Sequence, residues 1–384
     1  MPQHPDFAAH IDALPGATYS RLAHTLATHP GEVYPLHIGD TWMEPAVGCR
    51  MQDLTVADHP GMHRYSGTRG HGKLVEALVA RERANTGLAT TRGEVLPVAG
   101  ATAGLTALMA CLVSPGDEVL LIAPYWPLMN NAIRAMGGQP VAVPFIDVAS
   151  DPASAVAAVE ACRTARTVAV YWNTPNNPTG RVIPGTWLAA LAKWAQDHDL
   201  WIVADEVYEH YIYTGVPHQY SRPLAPDHTI AAHSFSKAYG MAGNRCGYLA
   251  GPVRVMDAVH KVTRCTVYCV PTAAQLAAVN ALAGPGERWA AEAAVQYAES
   301  GRAAAKRLGV PPPQGSTFLF FDIADHLDAR GLTGFLEDCA NDGLLVAPGS
   351  SFGPYPTHIR VCFTAVAPAV TARGIEVLAR HLGR

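Results

Sequence analysis

"TVAVYWNTPNNPTG" (167–180) runs from an apolar stretch straight into a polar turn broken by prolines. Its first six residues do not alternate apolar and polar side chains, so a strand here has no wet face. A strand buried on both sides belongs to a sheet covered by helices, the usual setting of parallel sheets. Three more stretches have this form: "EVLLIAP" (118–124), "LWIVAD" (200–205) and "TIAAHSF" (229–235). Among them lie helical patterns, "GLTALMACLV" (104–113), "PLMNNAIRAMG" (127–137) and "GTWLAALAKWAQDHD" (185–199). Repeated strand, helix, strand predicts an α/β architecture with a mainly parallel sheet covered by helices. Past about residue 252 the pattern changes to Ala-rich helices over 272–308, then short strands at "TFLFFDI" (317–323) and "HIRVCF" (358–363). That predicts a smaller α+β domain over 256–384, a large domain over 46–255, and an N-terminal segment over 1–45 that packs with the small one.

Composition narrows the function classes. The chain has 384 residues, 49% hydrophobic and 16% charged, which is globular and long enough for two domains. A net charge of -4 offers no basic patch for nucleic acid. The N-terminus "MPQHPDFAAHIDALPG" lacks the form of a signal peptide, and no apolar run reaches the ~18 residues of a membrane helix. The eight cysteines form no CxxC pair. The expectation is a cytoplasmic protein with buried free thiols, including core packing for Cys265 and Cys269.

In open α/β sheets chemistry gathers at the carboxyl ends of the strands. Trp126 follows the first apolar run, Asn177 the second, Asp205 and Tyr208 the third, Ser234 and Lys237 the fourth. Lys237 is conspicuous, because the chain has only five lysines against twenty-three arginines. "GATAGL" (100–105) precedes a helix, and its small residues leave backbone N–H groups free for an anion. Such a set suits a flat ring stacked on Trp126, with a ring nitrogen kept protonated by buried Asp205. A ring hydroxyl would meet Asn177 and Tyr208. A phosphate would lie on the 100–103 turn with Ser234 and Arg245. A carbonyl would condense with Lys237. Pyridoxal 5'-phosphate has all these features.

"NNPTG" (176–180), "ADEVY" (204–208), "SFSKAYGMAGNRCGY" (234–248) and "PGSSFG" (348–353) stand in the order and spacing of one family. The chain resembles the fold-type I, class I/II aminotransferases over nearly its full length. The resemblance implies a seven-stranded-type sheet, pyridoxal phosphate as cofactor, and exchange of an amino group between an α-amino acid and a 2-oxo acid. It implies that Lys237 forms the Schiff base and shuttles the proton, that Asp205 partners the ring nitrogen, and that Tyr208 and Asn177 partner the ring oxygen. Ser234, Arg245, Ala101 and Thr102 match the phosphate ligands, and Trp126 the stacking aromatic. Arg360 in "HIRVCF" matches the arginine that holds the substrate carboxylate by two parallel hydrogen bonds. Gly39 matches a glycine closing the substrate site. Tyr65 resembles a tyrosine reaching the phosphate of a partner subunit, which implies a homodimer with composite sites. The sequence departs from the family at Val75, where arginine is usual, and at the phosphate turn, which has no serine beside Thr102.

Trp42, Tyr19 and His71 are the further residues proposed for the substrate pocket. Glu206 and His210 make no metal site, because no second cluster faces them. "GTRGHG" (67–72) lacks dinucleotide spacing. Transamination is the leading reading. A lyase, synthase, cyclase or oxidase using the same cofactor remains open, since fold alone does not choose among reactions. A DNA-binding regulator built on this fold is the rival from another class, opposed by the negative charge.

Overall fold

A computed structural model describes Ile11, Leu14 and residues 20–384, so Tyr19 lies outside the described residues. The larger sheet contains β1 (Val95–Val98), β2 (Glu118–Ala123), β3 (Gln139–Pro144), β4 (Thr167–Asn173), β5 (Trp201–Asp205), β6 (Thr229–Ser234) and β7 (Gly247–Ala250). Their order is β1-β7-β6-β5-β4-β2-β3. β7 runs antiparallel to β1 and β6, and the other neighbours are parallel. This is the expected α/β sheet of seven strands.

β2, β4, β5 and β6 match the four apolar runs. The remaining three were not legible as strands. β1 and β3 are the two edges, where prolines such as Pro97, Pro140 and Pro144 can sit. β7 is only four residues long.

Side chains alternate across the sheet. Leu121, Tyr171, Val203 and Ala232 pack on one face, together with residues of the helices Ala101–Leu112, Pro127–Ala135 and Val253–Thr266. Leu120, Val170, Trp172 and Ile202 pack on the other, with helices Pro152–Glu160 and Gly185–Asp197. Each fully buried Leu, Ile or Val contributes about 1.5–3 kcal/mol relative to exposure. The sheet is therefore a rigid base for the residues at its strand ends.

A smaller antiparallel sheet contains β8 (Phe318–Asp322), β9 (Ala347–Pro348) and β10 (His358–Cys362), in the order β8-β10-β9. Residues 34–36 run beside it: Tyr34 N–H donates to the Gly343 carbonyl at 2.7 Å, and Cys362 N–H to the Leu36 carbonyl at 2.7 Å. One apolar core runs from Leu74 and Val75 through Tyr248 to Ile359 and Ile375, joining the two sheets' surroundings. No described helix is long and apolar enough to cross a membrane. All eight cysteines are free, but Cys265 is exposed and Cys269 only part-buried. Cys265 lies in the last turn of the helix Val253–Thr266 and Cys269 just beyond it, where Thr266 and Val267 also face solvent, which corrects the expected core packing.

Candidate active site

A cavity of about 730 Å³ opens at the carboxyl ends of β4, β5 and β6. Asp205 ends β5 and is only 4% exposed. The Tyr171 hydroxyl donates to its Oδ2 at 2.7 Å, and Val207 N–H donates to Oδ1 at 3.3 Å. Burial pushes the Asp205 carboxyl up to about 6, against the opposing Tyr171 hydrogen bond. A cationic group brought to this carboxylate is therefore held strongly, because water cannot compete.

Strand register sets Asn173 beside Asp205. The Asn173 amide donates to the Asp205 carbonyl at 2.8 Å, and its Oδ1 accepts from Asn177 N–H at 2.6 Å. That fixes the NNPTG turn to the floor. Asn177 Oδ1 then accepts from Arg360 Nη1 at 2.9 Å. Arg360 Nη2 donates to the His37 carbonyl. The Arg360 guanidinium lies 4.3 Å from the Phe318 ring and 4.8 Å from the Phe352 ring, a flat slot between two aromatics. An almost buried guanidinium held this way can receive a carboxylate.

Ser234 ends β6 and caps the short helix Phe235–Ala238, accepting from Ser236 N–H at 3.1 Å. Lys237 projects from that helix, and its Nζ donates to the Gly39 carbonyl. Burial lowers its pKa, Asp40 opposes this, and Arg360 and Arg245 add to the lowering. A depressed pKa makes the amine a better nucleophile and base near neutral pH. Tyr208 is 3% exposed and packs edge-on to Phe318, with ring centroids 5.7 Å apart. Burial raises its hydroxyl pKa, and Arg360 opposes that rise.

A cradle able to take an anion lies at the start of the helix Ala101–Leu112, whose first N–H groups have no intrahelical partners. Gly100 precedes it with φ 83, and a Cβ there would lie 2.4 Å from Arg245 Nη2. Arg245 itself has φ 52, and its Nη1 donates to the Ala242 carbonyl at 2.9 Å. Ala101, Thr102, Ser234, Ser236 and Arg245 therefore face one part of the cavity, with Trp126 on its wall.

Eleven of the fifteen site residues proposed from the sequence thus line this cavity, Gly39 and Arg360 among them. Tyr65 and Trp42 do not. Tyr65 is 82% exposed and packs edge-on to Tyr268 at 5.0 Å. Trp42 N–H donates to the Thr364 carbonyl at 3.0 Å, and its ring packs on Tyr297 at 5.6 Å, in the core. His71 precedes the helix Gly72–Thr86, and its backbone N–H donates to Gln275. Sequence reading did not single out Tyr171, Asn173, Phe318 or Phe352. The first two carried a signal: they stand at two-residue spacing before a polar strand end, and so share the face of Asp205.

Comparison with known proteins agrees with this geometry. The chain is 32% identical over 342 residues to the aspartate/prephenate aminotransferase of Thermus thermophilus, covering 84% of each chain. It is 31% identical over 352 residues to an arginine–pyruvate transaminase of Pseudomonas aeruginosa, covering 86% of this chain and 85% of the other. A solved structure of Thermus thermophilus aspartate aminotransferase, a double mutant, superposes with a TM-score of 0.90 at 27% identity. It covers 98% of this chain and 100% of its own. Residues 37–382 match the family described as aminotransferase class I and II, and the chain belongs to that family.

Proposed function

We propose that this aminotransferase uses pyridoxal 5'-phosphate to exchange an amino group between an α-amino acid and a 2-oxo acid. The observation that carries the reading is the convergence of Lys237, Asp205 and Arg360 on the cavity that also holds the Gly100–Arg245 cradle. The residues fit the cofactor. Among the described residues no cationic side chain is paired with the buried Asp205 carboxylate, and a Cβ at Gly100 would fill the cradle.

When bound, pyridoxal phosphate supplies an aldehyde that condenses with amines and a protonated ring that draws electron density from the substrate's α-carbon. Asp205 would keep the ring nitrogen protonated. Asn177 and Tyr208 would meet the ring oxygen, Trp126 the ring face. Ser234, Arg245 and the N–H groups of Ala101 and Thr102 would take the phosphate. Arg360 would grip the substrate carboxylate, in a slot already fixed by Phe318, Phe352 and Asn177. Gly39 would close the site from above Lys237. Lys237 Nζ would hold the cofactor between turnovers. Once displaced by the incoming amine, it would take the α-proton and give it back.

Adding one amino acid without any oxo acid tests this reading. The expected result is one equivalent of oxo acid per site, with loss of the cofactor's visible band. Many turnovers without an oxo acid would sink it in favour of elimination or oxidation. Running the assay over a panel of amino acids, aspartate and arginine included, identifies the donor.

A homodimer with shared sites completes the proposal. Tyr65 supports it, since a large aromatic 82% exposed on its own chain is free to serve another. Mixing Lys237→Ala and Tyr65→Ala proteins after subunit exchange checks it. One intact site per hybrid is expected, so activity returns above that of either parent. Absence of recovery in a verified hybrid would exclude the shared site.

A further inference from the structure

On the face of the sheet opposite the cavity, a buried ionic cluster backs Asp205. Strand alternation turns His233 away from Ser234, and its ring stacks on Tyr248 at 4.6 Å with 15° between the planes. Both ring nitrogens face carboxylates. Glu209 Oε1 lies 3.1 Å from Nδ1, while Glu82 Oε1 and Glu206 Oε2 lie 3.6 and 3.8 Å from Nε2. His233 is 1% exposed, and Glu82 and Glu206 are 0% exposed.

The other charges nearby are already shared. Arg222 divides its guanidinium between Glu82 at 2.9 Å and Glu94 at 3.2 Å. Arg81 divides its own between Glu209 at 3.2 Å and Glu287 at 2.8 Å. His218 lies 3.7 Å from Glu206, the Tyr248 hydroxyl donates to Glu82 at 3.0 Å, and the Tyr220 ring centroid is 6.4 Å from that of His233. A neutral imidazole has one N–H and one lone pair, so it would aim a lone pair at a buried carboxylate. An imidazolium hydrogen-bonds Glu209 through Nδ1, turns its second N–H toward Glu82 and Glu206, and supplies the missing cation. Burial pulls the His233 pKa down, but Glu209, Glu82 and Glu206 outweigh it and raise it to about 9.

The cluster is joined to the site through the backbone. Glu206 follows Asp205 and donates its N–H to the Ala232 carbonyl at 3.0 Å. His233 directly precedes Ser234. We propose that His233, as an imidazolium held by Glu82, Glu206 and Glu209, is a positioning residue for the transamination site. It clamps the turn bearing Asp205 and Tyr208 to the strand leading to Lys237, and it sets the electrostatic potential at Asp205. This rests on the cofactor reading above. The positive charge of His233 favours ionised Asp205, and Glu206 opposes it.

The test is the pH midpoint of the visible absorbance of the enzyme loaded with pyridoxal phosphate. His233→Asn keeps a donor toward Glu209 and removes the charge. The potential becomes more negative, the protonated chromophore is favoured, and the midpoint rises by roughly half a pH unit. Glu209→Gln removes a buried negative charge and lowers the midpoint by a similar amount. Opposite shifts support the proposal. A cluster that only braces the fold would lower both melting temperatures and leave both midpoints unchanged, which overturns it. If His233→Asn does not fold, His233→Gln takes its place: a rise supports the proposal, and no change or a fall overturns it. A wild-type protein that takes up no pyridoxal phosphate sinks the cofactor reading itself. A visible band that ignores both substitutions sinks only the role of His233.

Discussion

Lys237→Ala is expected to lower amino-group exchange by roughly 10³-fold or more, since in the proposed reaction it would remove both the covalent anchor and the proton carrier. The geometry supports so large an effect. Among the described residues Lys237 is the only lysine lining the cavity, and its amine is held at the Gly39 carbonyl. Burial has already lowered its pKa, so the free base is more available than on an exposed lysine. A neighbouring carboxylate cannot replace it, because Asp205 is engaged by Tyr171 and Val207 at the floor. The fold should survive, since truncation removes a part-buried side chain from a four-residue helix. Turnover and melting temperature measured together check this. A variant of normal turnover would exclude Lys237 from the chemistry.

Arg360→Ala should lower kcat/KM for amino acids by roughly 30-fold to several thousand-fold. Truncating one partner of a buried, hydrogen-bonded charge pair costs about 2–5 kcal/mol, and each 1.36 kcal/mol is tenfold. The loss should appear mainly in KM, because the carboxylate is held equally in ground and transition states. Arg360 is pinned by Asn177 and His37 and flanked by Phe318 and Phe352, so the slot is built around a guanidinium. Cofactor uptake should be unaffected, as the Gly100–Arg245 cradle is untouched. An amine donor lacking a carboxylate gives the control. Its kcat/KM should be low with the wild type and unchanged by the substitution. Equal losses for both donors would show that Arg360 supports the fold and not the carboxylate.

Four central strands could be read directly from sequence, because a strand buried on both faces is written as an uninterrupted apolar run. β1 and β3 could not, because edge strands accept prolines, β1 is only four residues long and β3 is partly exposed. The residues just after the apolar runs were legible for a related reason. Asn177, Asp205, Ser234 and Lys237 are polar where the sheet stops being core. Tyr171 resembled another core aromatic, and only the register of β4 on β5 turns its hydroxyl onto Asp205. Trp42 looked like a pocket residue from its closeness to Gly39. A backbone hydrogen bond to Thr364 instead holds that segment against the small sheet and turns the ring onto Tyr297.

The sequence by itself determined the chemistry carried by each side chain and the α/β periodicity that delivers several of them to strand ends. These are local properties, set by residue type and by repeats of two and 3.6 residues. Only the tertiary structure decided which distant groups meet. Arg360 reaches Asn177, Gly100 leaves room for Arg245, and Glu82 closes on His233 behind Asp205. Such contacts depend on strand order, register and helix placement. Those follow from burying the whole core at once, and no short stretch of the chain contains them.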